Sequence, residues 1–473
     1  MEKIIGRTEE INRLTDYLNS DKAEFLVVFG RRRVGKTFLI REFFQNKFSF
    51  YMSGAENASK TEQLFNFTTV LNKCSKVPYP PVTTWQAAFV QLQHFLENLK
   101  TKDRIVVFFD ELPWLDNAKS GFLSAFEYFW NTYASANHKI FLVVCGSATS
   151  WLINKIIKNR GGLHNRVTRQ IFLKPFTLRE TEDFFVSRGI ALDRYQIAEC
   201  YMIMGGIPYY LEQMQKKWSV YQNIDSLFFS NTGILRSEFQ KLYASIFKNS
   251  EKYIEIIEAL SSKNKGLTRE EMVEISEISD GGTLTKMLEE LELCDFIRSY
   301  YSFGKRKRDK IYQLVDFYSL FYLNFIKNKP VTDENFWTNI IDNMAHRAWS
   351  GYSFEQLCLM HAAQIRRKLG ISGVTTYSSS WRSKNTESGA QIDLVIDRND
   401  RVINLCEIKY AIDEFTITKD VNDNLRKKRA AFMEETKTRK AVHTTMITTY
   451  GVKRNEYWGN IQSEVILNNL FEF

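Results

Sequence analysis

Only seven prolines are spread over 473 residues, which leaves little room for disordered, proline-rich linkers. No apolar run approaches the roughly 18 residues a membrane helix needs, and the longest, at 105–109 and 140–145, are strand-sized. No internal repeat and no low-complexity tract is present. The opening segment, MEKIIGRTEEINRL, carries charges where a signal peptide requires an apolar centre. The six cysteines, at 74, 145, 200, 294, 358 and 406, lie far apart in mostly apolar segments and form no C-x-x-C pair. This predicts reduced core residues of a cytoplasmic protein with no membrane association, rather than a disulfide frame or a zinc site. With 44% hydrophobic and 25% charged residues the composition is that of a globular protein. Its net charge of +9 permits a polyanionic partner without requiring one.

The length predicts several domains. Residues 25–175 alternate strand-like apolar runs (25–29, 48–52, 105–110, 139–145 and 169–173) with helical patterns, the signature of a parallel sheet with crossover helices. Pro175 and Phe176 end that block. A helical stretch follows, broken at Gly205-Gly206-Ile207-Pro208. Residues 241–330 hold short helices and a Tyr- and Lys/Arg-rich hairpin, and residues 331–473 form a last α/β block. The expected division is 1–175, 176–240, 241–330 and 331–473.

Gly30-Arg31-Arg32-Arg33-Val34-Gly35-Lys36-Thr37 fits G-x-x-x-x-G-K-[ST], between a buried strand (FLVVF) and a helix (TFLIREFF). Glycines let backbone N–H groups turn toward phosphates, and the helix dipole stabilises their charge. Lys36 would reach the β- and γ-phosphates of ATP, and the Thr37 hydroxyl would ligate Mg²⁺. Such a pattern arises by accident in roughly one or two of a hundred chains of this length. The strand at 105–110 ends in Asp110-Glu111, which gives a carboxylate for the Mg²⁺ shell and a general base, Glu111, for the attacking water.

These elements resemble the AAA+/STAND-type prokaryotic P-loop ATPases that carry a winged helix and a restriction-endonuclease-like C-terminal domain. The resemblance implies an AAA+-like parallel sheet with a helical lid. It sets Ile5-Gly6-Arg7 near the adenine and makes Ser147, after Val143-Val144-Cys145-Gly146, the sensor of the γ-phosphate. It makes Arg166, in Leu163-His164-Asn165-Arg166, a charge-stabilising arginine acting in cis or across a homo-oligomer interface; a surface ion pair is the other reading of Arg166. It sets Pro208 near the base. No lid arginine of the second-sensor kind is evident.

In the third block, amphipathic segments 268–275 and 282–293 precede a basic hairpin, which looks like a winged helix. Thr283, Thr285 and Lys286 would be exposed, and Lys305-Arg306-Lys307-Arg308 would form the wing tip. DNA contact and a role as spacer or protein dock are both open. In the last block, strands at 390–397 and 402–410 carry Asp393 and Glu407-Ile408-Lys409. Strand alternation sets Glu407 and Lys409 on one face, and a hairpin through Arg398-Asn399-Asp400 brings Asp393 beside Glu407. Two such carboxylates bind a divalent cation, and the lysine orients its water. Upstream, Ser353 and Gln356 predict a capping box that starts a helix bearing Glu355. The pattern resembles the PD-(D/E)xK nucleases, which implies Asp393, Glu407 and Lys409 as catalytic residues. Glu355, Asp393 and Glu407 would then be ligands of Mg²⁺ or Mn²⁺, and DNA the substrate. A domain that binds without cleaving is the alternative. The basic run in 424–432 suits a phosphate track or a solvated helix face.

Overall fold

The computed structural model of the chain describes residues 3–117, 119–158, 161–304, 310–328, 333–341, 343–383 and 389–472. It divides into two compact units, Met1–Pro175 with Leu242–Lys248, and Phe176–Lys241 with Asn249–Phe473. The expected wing tip, residues 305–308, lies outside the described residues. Among the described residues, no helix is long and apolar enough to cross a membrane.

The first unit is built on five strands, β1 (Glu24–Phe29), β2 (Phe50–Ser53), β3 (Ile105–Asp110), β4 (Ile140–Cys145) and β5 (Arg169–Phe172). All pair in parallel, in the order β2-β3-β4-β1-β5. β3 and β4 are buried along their whole length, as continuous apolar runs in a parallel sheet require when both faces are covered. One face packs on an aromatic core that includes Phe67, Trp85, Phe89, Phe126 and Trp130. Helix Lys60–Cys74 enters through a capping box between Ser59 and Glu62, and helix Trp85–Glu97 through a Thr84 cap. This strand order inserts β4 between β1 and β3, so the carboxyl ends of all three open onto one edge of the sheet, where ligands of open α/β sheets bind.

In the second unit, helices Leu178–Ser187 and Arg194–Met204 each start with a capping box, and Gly205 ends the second in the left-handed region. Gly206 at φ +65° has no alternative: a Cβ there would stand 2.4 Å from the Phe176 carbonyl oxygen. Helix Ser250–Ser261 leads to β6 (Leu267–Thr268), helices Arg269–Ser276 and Gly282–Leu293, and the hairpin β7 (Ile297–Tyr301) and β8 (Lys310–Leu314). These strands form a sheet of order β6-β8-β7, with Leu284, Leu288 and Leu291 buried.

The last block opens with helix Met344–Met360, capped by Asn343. This corrects the expected capping box, because Ser353 and Gln356 are buried inside the helix. Nothing in residues 344–352 breaks a helix, so the cap falls on the Asn that precedes the run. A five-stranded sheet follows, in the order β13-β12-β11-β10-β9: β9 (Thr376–Arg382), β10 (Gln391–Arg398), β11 (Val402–Lys409), β12 (Ala441–Thr448) and β13 (Ser463–Ile466). β9, β10 and β11 pair antiparallel, and helix Lys419–Thr436 connects β11 to its parallel neighbour β12. The edge strands β9 and β13 escape sequence reading because TYSSSWR is polar and SEVI is short.

Candidate active sites

At the carboxyl end of β1 the chain turns through Gly30 at φ +141°, Arg33 at +70° and Gly35 at +90°. A Cβ on Gly30 would stand 2.3 Å from the Leu173 carbonyl oxygen, so close backbone approach fixes this glycine. Gly35 caps helix Lys36–Phe43, which directs the helix N-terminus at the loop. Lys36 is buried, and its Nζ donates to the carbonyls of Gly30 at 3.0 Å and Arg31 at 2.9 Å. Thr149 Oγ1 ties the Gly30 carbonyl from beyond β4, at 3.0 Å.

The Thr37 hydroxyl donates to Asp110 Oδ2 at 2.9 Å, which joins the loop after β1 to the end of β3. A hydroxyl and a carboxylate in direct contact suit two positions in the shell of one small hard cation. The other oxygen of Asp110 accepts from Glu111 N at 2.9 Å and from the Cys145 thiol at 2.6 Å. Burial, reinforced by Asp110, pushes the Cys145 thiol well above its usual range, so it stays protonated and donates. Glu111, at φ +45°, turns back to Ser147, accepting at Oε2 from its N–H at 2.9 Å and its hydroxyl at 3.0 Å. Gly146 permits this, since a Cβ there would meet Pro113 Cδ at 2.6 Å. The donor role of Cys145 had no signal in the sequence beyond its place at a strand end.

Arg7 is buried, and its guanidinium donates to the Lys174 carbonyl at 2.8 Å and the Val34 carbonyl at 3.1 Å. It therefore braces the phosphate loop directly. Ile5 is half-buried beside it in sequence, whereas Arg32 and Arg33 are partly exposed. Arg166 is exposed in a turn closed by its N–H to the Leu163 carbonyl. Pro208, in the second unit, opens the short helix Pro208–Leu211.

Residues 4–214 match the model of an ATPase domain found predominantly in Archaea. This stretch is a P-loop ATPase domain. The whole chain is also similar to the uncharacterized protein MJECL04 of Methanocaldococcus jannaschii, at 24% identity over 433 residues, 91% of this chain and 93% of that protein. A 43-residue stretch, 9% of this chain, is 46% identical to the uncharacterized ATP-binding protein MJ0423 of the same organism, covering 73% of it. Among solved structures, the Walker-type ATPase PABY2304 of Pyrococcus abyssi aligns with 68% of this chain and 96% of its own, at 18% identity and a TM-score of 0.49.

Beyond the ATPase domain, the acids of the C-terminal sheet are distributed differently from the expectation. Continuing the β10–β11 register one step past Leu394↔Cys406 sets Asp393 opposite Glu407. The β9–β10 pairing shifts register between Ile392 and Val395, however, and a bulge re-aims the side chains within it. Asp393 consequently lines a cavity of about 190 Å³ with Glu355, Arg298 and Lys265. Glu407 faces a separate small cleft with Lys428 and Arg429, beside helix Lys419–Thr436. The carboxylates are thus not gathered as expected: among the described residues, no group of three His, Cys, Asp or Glu side chains is close enough to hold a metal ion.

Each of these acids instead meets a lysine. Lys265 Nζ pairs with Asp393 Oδ1 and lies 3.4 Å from Glu355 Oε2. Glu407 pairs through one oxygen with Lys409 at 2.9 Å and through the other with Lys428 at 2.7 Å. Burial and the neighbouring Asp393 push Glu355 up to about 7, a rise that Lys265 only partly offsets. Burial by itself would lower Lys265, but the attraction of Asp393 and Glu355 outweighs it and raises the ammonium above its usual range. Neither Lys265, in the polar stretch SSKNKGLT, nor Lys428 was legible as a partner of these acids.

Proposed function

We propose that this chain hydrolyses ATP with Mg²⁺ in its first unit, and that nucleotide state controls a metal-dependent DNA nuclease in its last block, in genome defence or DNA processing. The contact between Thr37 and Asp110, with Glu111 held on Ser147 beside it, carries the hydrolytic half of this reading. The N–H groups of residues 31–36 and the Lys36 ammonium would hold the phosphates, while Thr37 and Asp110 would hold Mg²⁺. Bound there, Mg²⁺ supplies charge neutralisation to the phosphate oxygens. Glu111 polarises the attacking water, and Ser147 orients that carboxylate or reports on the γ-phosphate. The exposed position of Arg166 supports action across an oligomer interface.

The nuclease half rests on Asp393 and Glu355 converging on one cationic group, with Glu407 and Lys409 on the adjoining strand. Oxygen donors of this kind suit Mg²⁺ or Mn²⁺, and Asp393 with Glu355 would hold the ion; Glu407 is the further ligand by resemblance. The order helix, helix, hairpin in 268–314, with Thr283, Thr285 and Lys286 exposed, supports a winged helix that contacts DNA. The ion pairs on all three acids favour a second reading, an ATP-gated scaffold whose last block binds nucleic acid or protein without cutting. Incubating supercoiled and single-stranded DNA with wild type, Lys36→Ala and Lys409→Ala, with Mg²⁺ or Mn²⁺ and with or without ATP, separates the two. Cleavage lost in Lys409→Ala and altered in Lys36→Ala supports the nuclease. Cleavage that survives Lys409→Ala, or none in any condition, leaves the scaffold.

A further inference from the structure

The cavity between the β6-β8-β7 sheet and the C-terminal sheet is lined from both sides, and Lys265 is the side chain that crosses it to the carboxylates. Its backbone is tightly held. The Lys265 carbonyl accepts from Tyr300 Oη at 2.6 Å, and the Asn264 carbonyl accepts from Gln313 Nε2 at 2.6 Å. Gly266, at φ +83°, closes the turn through its N–H to the Lys263 carbonyl, and a Cβ on it would stand 2.2 Å from the Tyr312 carbonyl oxygen. The hairpin that supplies Tyr300 is itself docked on the edge of the C-terminal sheet. Ser302 bridges Ser380 of β9, Phe303 N–H donates to the Ser380 carbonyl at 2.7 Å, and the Phe303 ring packs on Phe432.

The cavity also holds a polar group without a partner. Gln356 is 1% exposed, and its Oε1 accepts no hydrogen bond among the described residues. A buried amide oxygen from a residue lining the same cavity as two carboxylates is a donor type suited to a hard cation and its water.

We propose that Lys265 is a built-in competitor for the divalent cation: its ammonium holds Asp393 and Glu355 where the metal would bind, and keeps the C-terminal site inactive until the 263–266 turn withdraws. The proposal rests on the reading of Asp393 and Glu355 as metal ligands given above. One positive charge shared by two carboxylates is weaker neutralisation than a divalent ion offers, so the arrangement is displaceable rather than permanent. Apparent metal affinity is then reduced by the fraction of molecules with the lysine withdrawn. A withdrawn fraction of a tenth or less predicts an affinity at least about tenfold below that of the unplugged site.

The test is Mn²⁺ binding to the full-length chain, followed by calorimetry and by the electron paramagnetic resonance of bound Mn²⁺, in wild type, Lys265→Gln, Lys265→Arg and Asp393→Asn. The signal that counts is the part lost in Asp393→Asn, which removes any contribution of the nucleotide site. Lys265→Gln is expected to bind Mn²⁺ at least about tenfold more tightly than wild type, and Lys265→Arg, which keeps the cation, to stay near wild type. Equal affinity in wild type and Lys265→Gln, with Asp393-dependent binding present, overturns the competitor role and leaves the metal site standing. No Asp393-dependent binding in either protein overturns both. Tighter binding in Lys265→Gln without DNA cleavage keeps the competitor role and discards the nuclease. If Lys265→Gln fails to fold, Tyr300→Phe, which releases the hydrogen bond to the Lys265 carbonyl along with the hydroxyl contact to Ser380, is expected to raise Mn²⁺ affinity in the same direction, and an unchanged affinity there overturns the proposal.

Discussion

Ser147 holds the carboxylate of Glu111 twice, through its backbone N–H at 2.9 Å and its hydroxyl at 3.0 Å. The residue expected to sense phosphate thus controls the orientation of the residue expected to activate water. Two strands, β3 and β4, fix this pairing, because their parallel register brings the residues just past their ends together.

Glu111→Gln is expected to bind ATP with near wild-type affinity while its turnover falls by roughly 10²–10⁴. Ser147→Ala keeps the backbone hydrogen bond and is expected to slow turnover by roughly tenfold. Phosphate release and nucleotide binding measure both. If Glu111→Gln turns over like wild type, Glu111 is not the base. If Ser147→Ala slows the Glu111→Gln variant further, Ser147 acts on phosphate rather than through the carboxylate.

Gly30 and Gly35 both have positive φ, but only Gly30 lies against backbone, at the Leu173 carbonyl. Gly30→Ala is therefore expected to cost about 3 kcal/mol or more, from strain plus collision, and Gly35→Ala about 1 kcal/mol from strain alone. Urea unfolding of the full-length variants reads the difference. Equal midpoints for the two variants would contradict the close approach at Gly30.

His361 is buried, with its Nε2 accepting from the Leu178 N–H at 3.2 Å and its Nδ1 2.9 Å from the Leu357 carbonyl oxygen. Burial lowers its pKa from 6.5 to about 4, so the neutral ring is the folded form. The unfolded chain takes up this proton below about pH 6.5 and the folded chain only below about pH 4. The stabilisation is complete above pH 6.5 and is lost as pH falls toward 4, by about 3 kcal/mol in total. His361→Asn is expected to be less stable at pH 7.5 and to show a flatter decline between pH 6.5 and 4.5. Parallel melting curves of the two proteins across that window would refute this.

The ATPase half of the chain was legible because its chemistry is carried by short, contiguous segments. GRRRVGKT needs only its own backbone and one strand before it, and Asp110-Glu111 marks a strand end. The resemblance sets Arg7 near the adenine, and the structure adds that its guanidinium braces the carbonyls of Val34 and Lys174. A bond from a side chain to a distant carbonyl leaves no trace in residue identity. The start of the helix at 344–360 is not legible in the sequence, because Ser353-x-x-Gln356 fits a cap equally well when buried in mid-helix.

The sequence by itself determined the phosphate loop, the acidic strand end and the existence of two α/β blocks, since each follows from local backbone preference and hydrophobic period. Only the tertiary structure decided which charges meet. Strand alternation would bring Asp393 beside Glu407, but the register shift between Ile392 and Val395 turns Asp393 into another cavity. There it meets Lys265, 128 residues earlier in the chain. Coulomb attraction acts through space with no dependence on sequence separation, so which lysine guards which carboxylate is fixed by packing and not by motif.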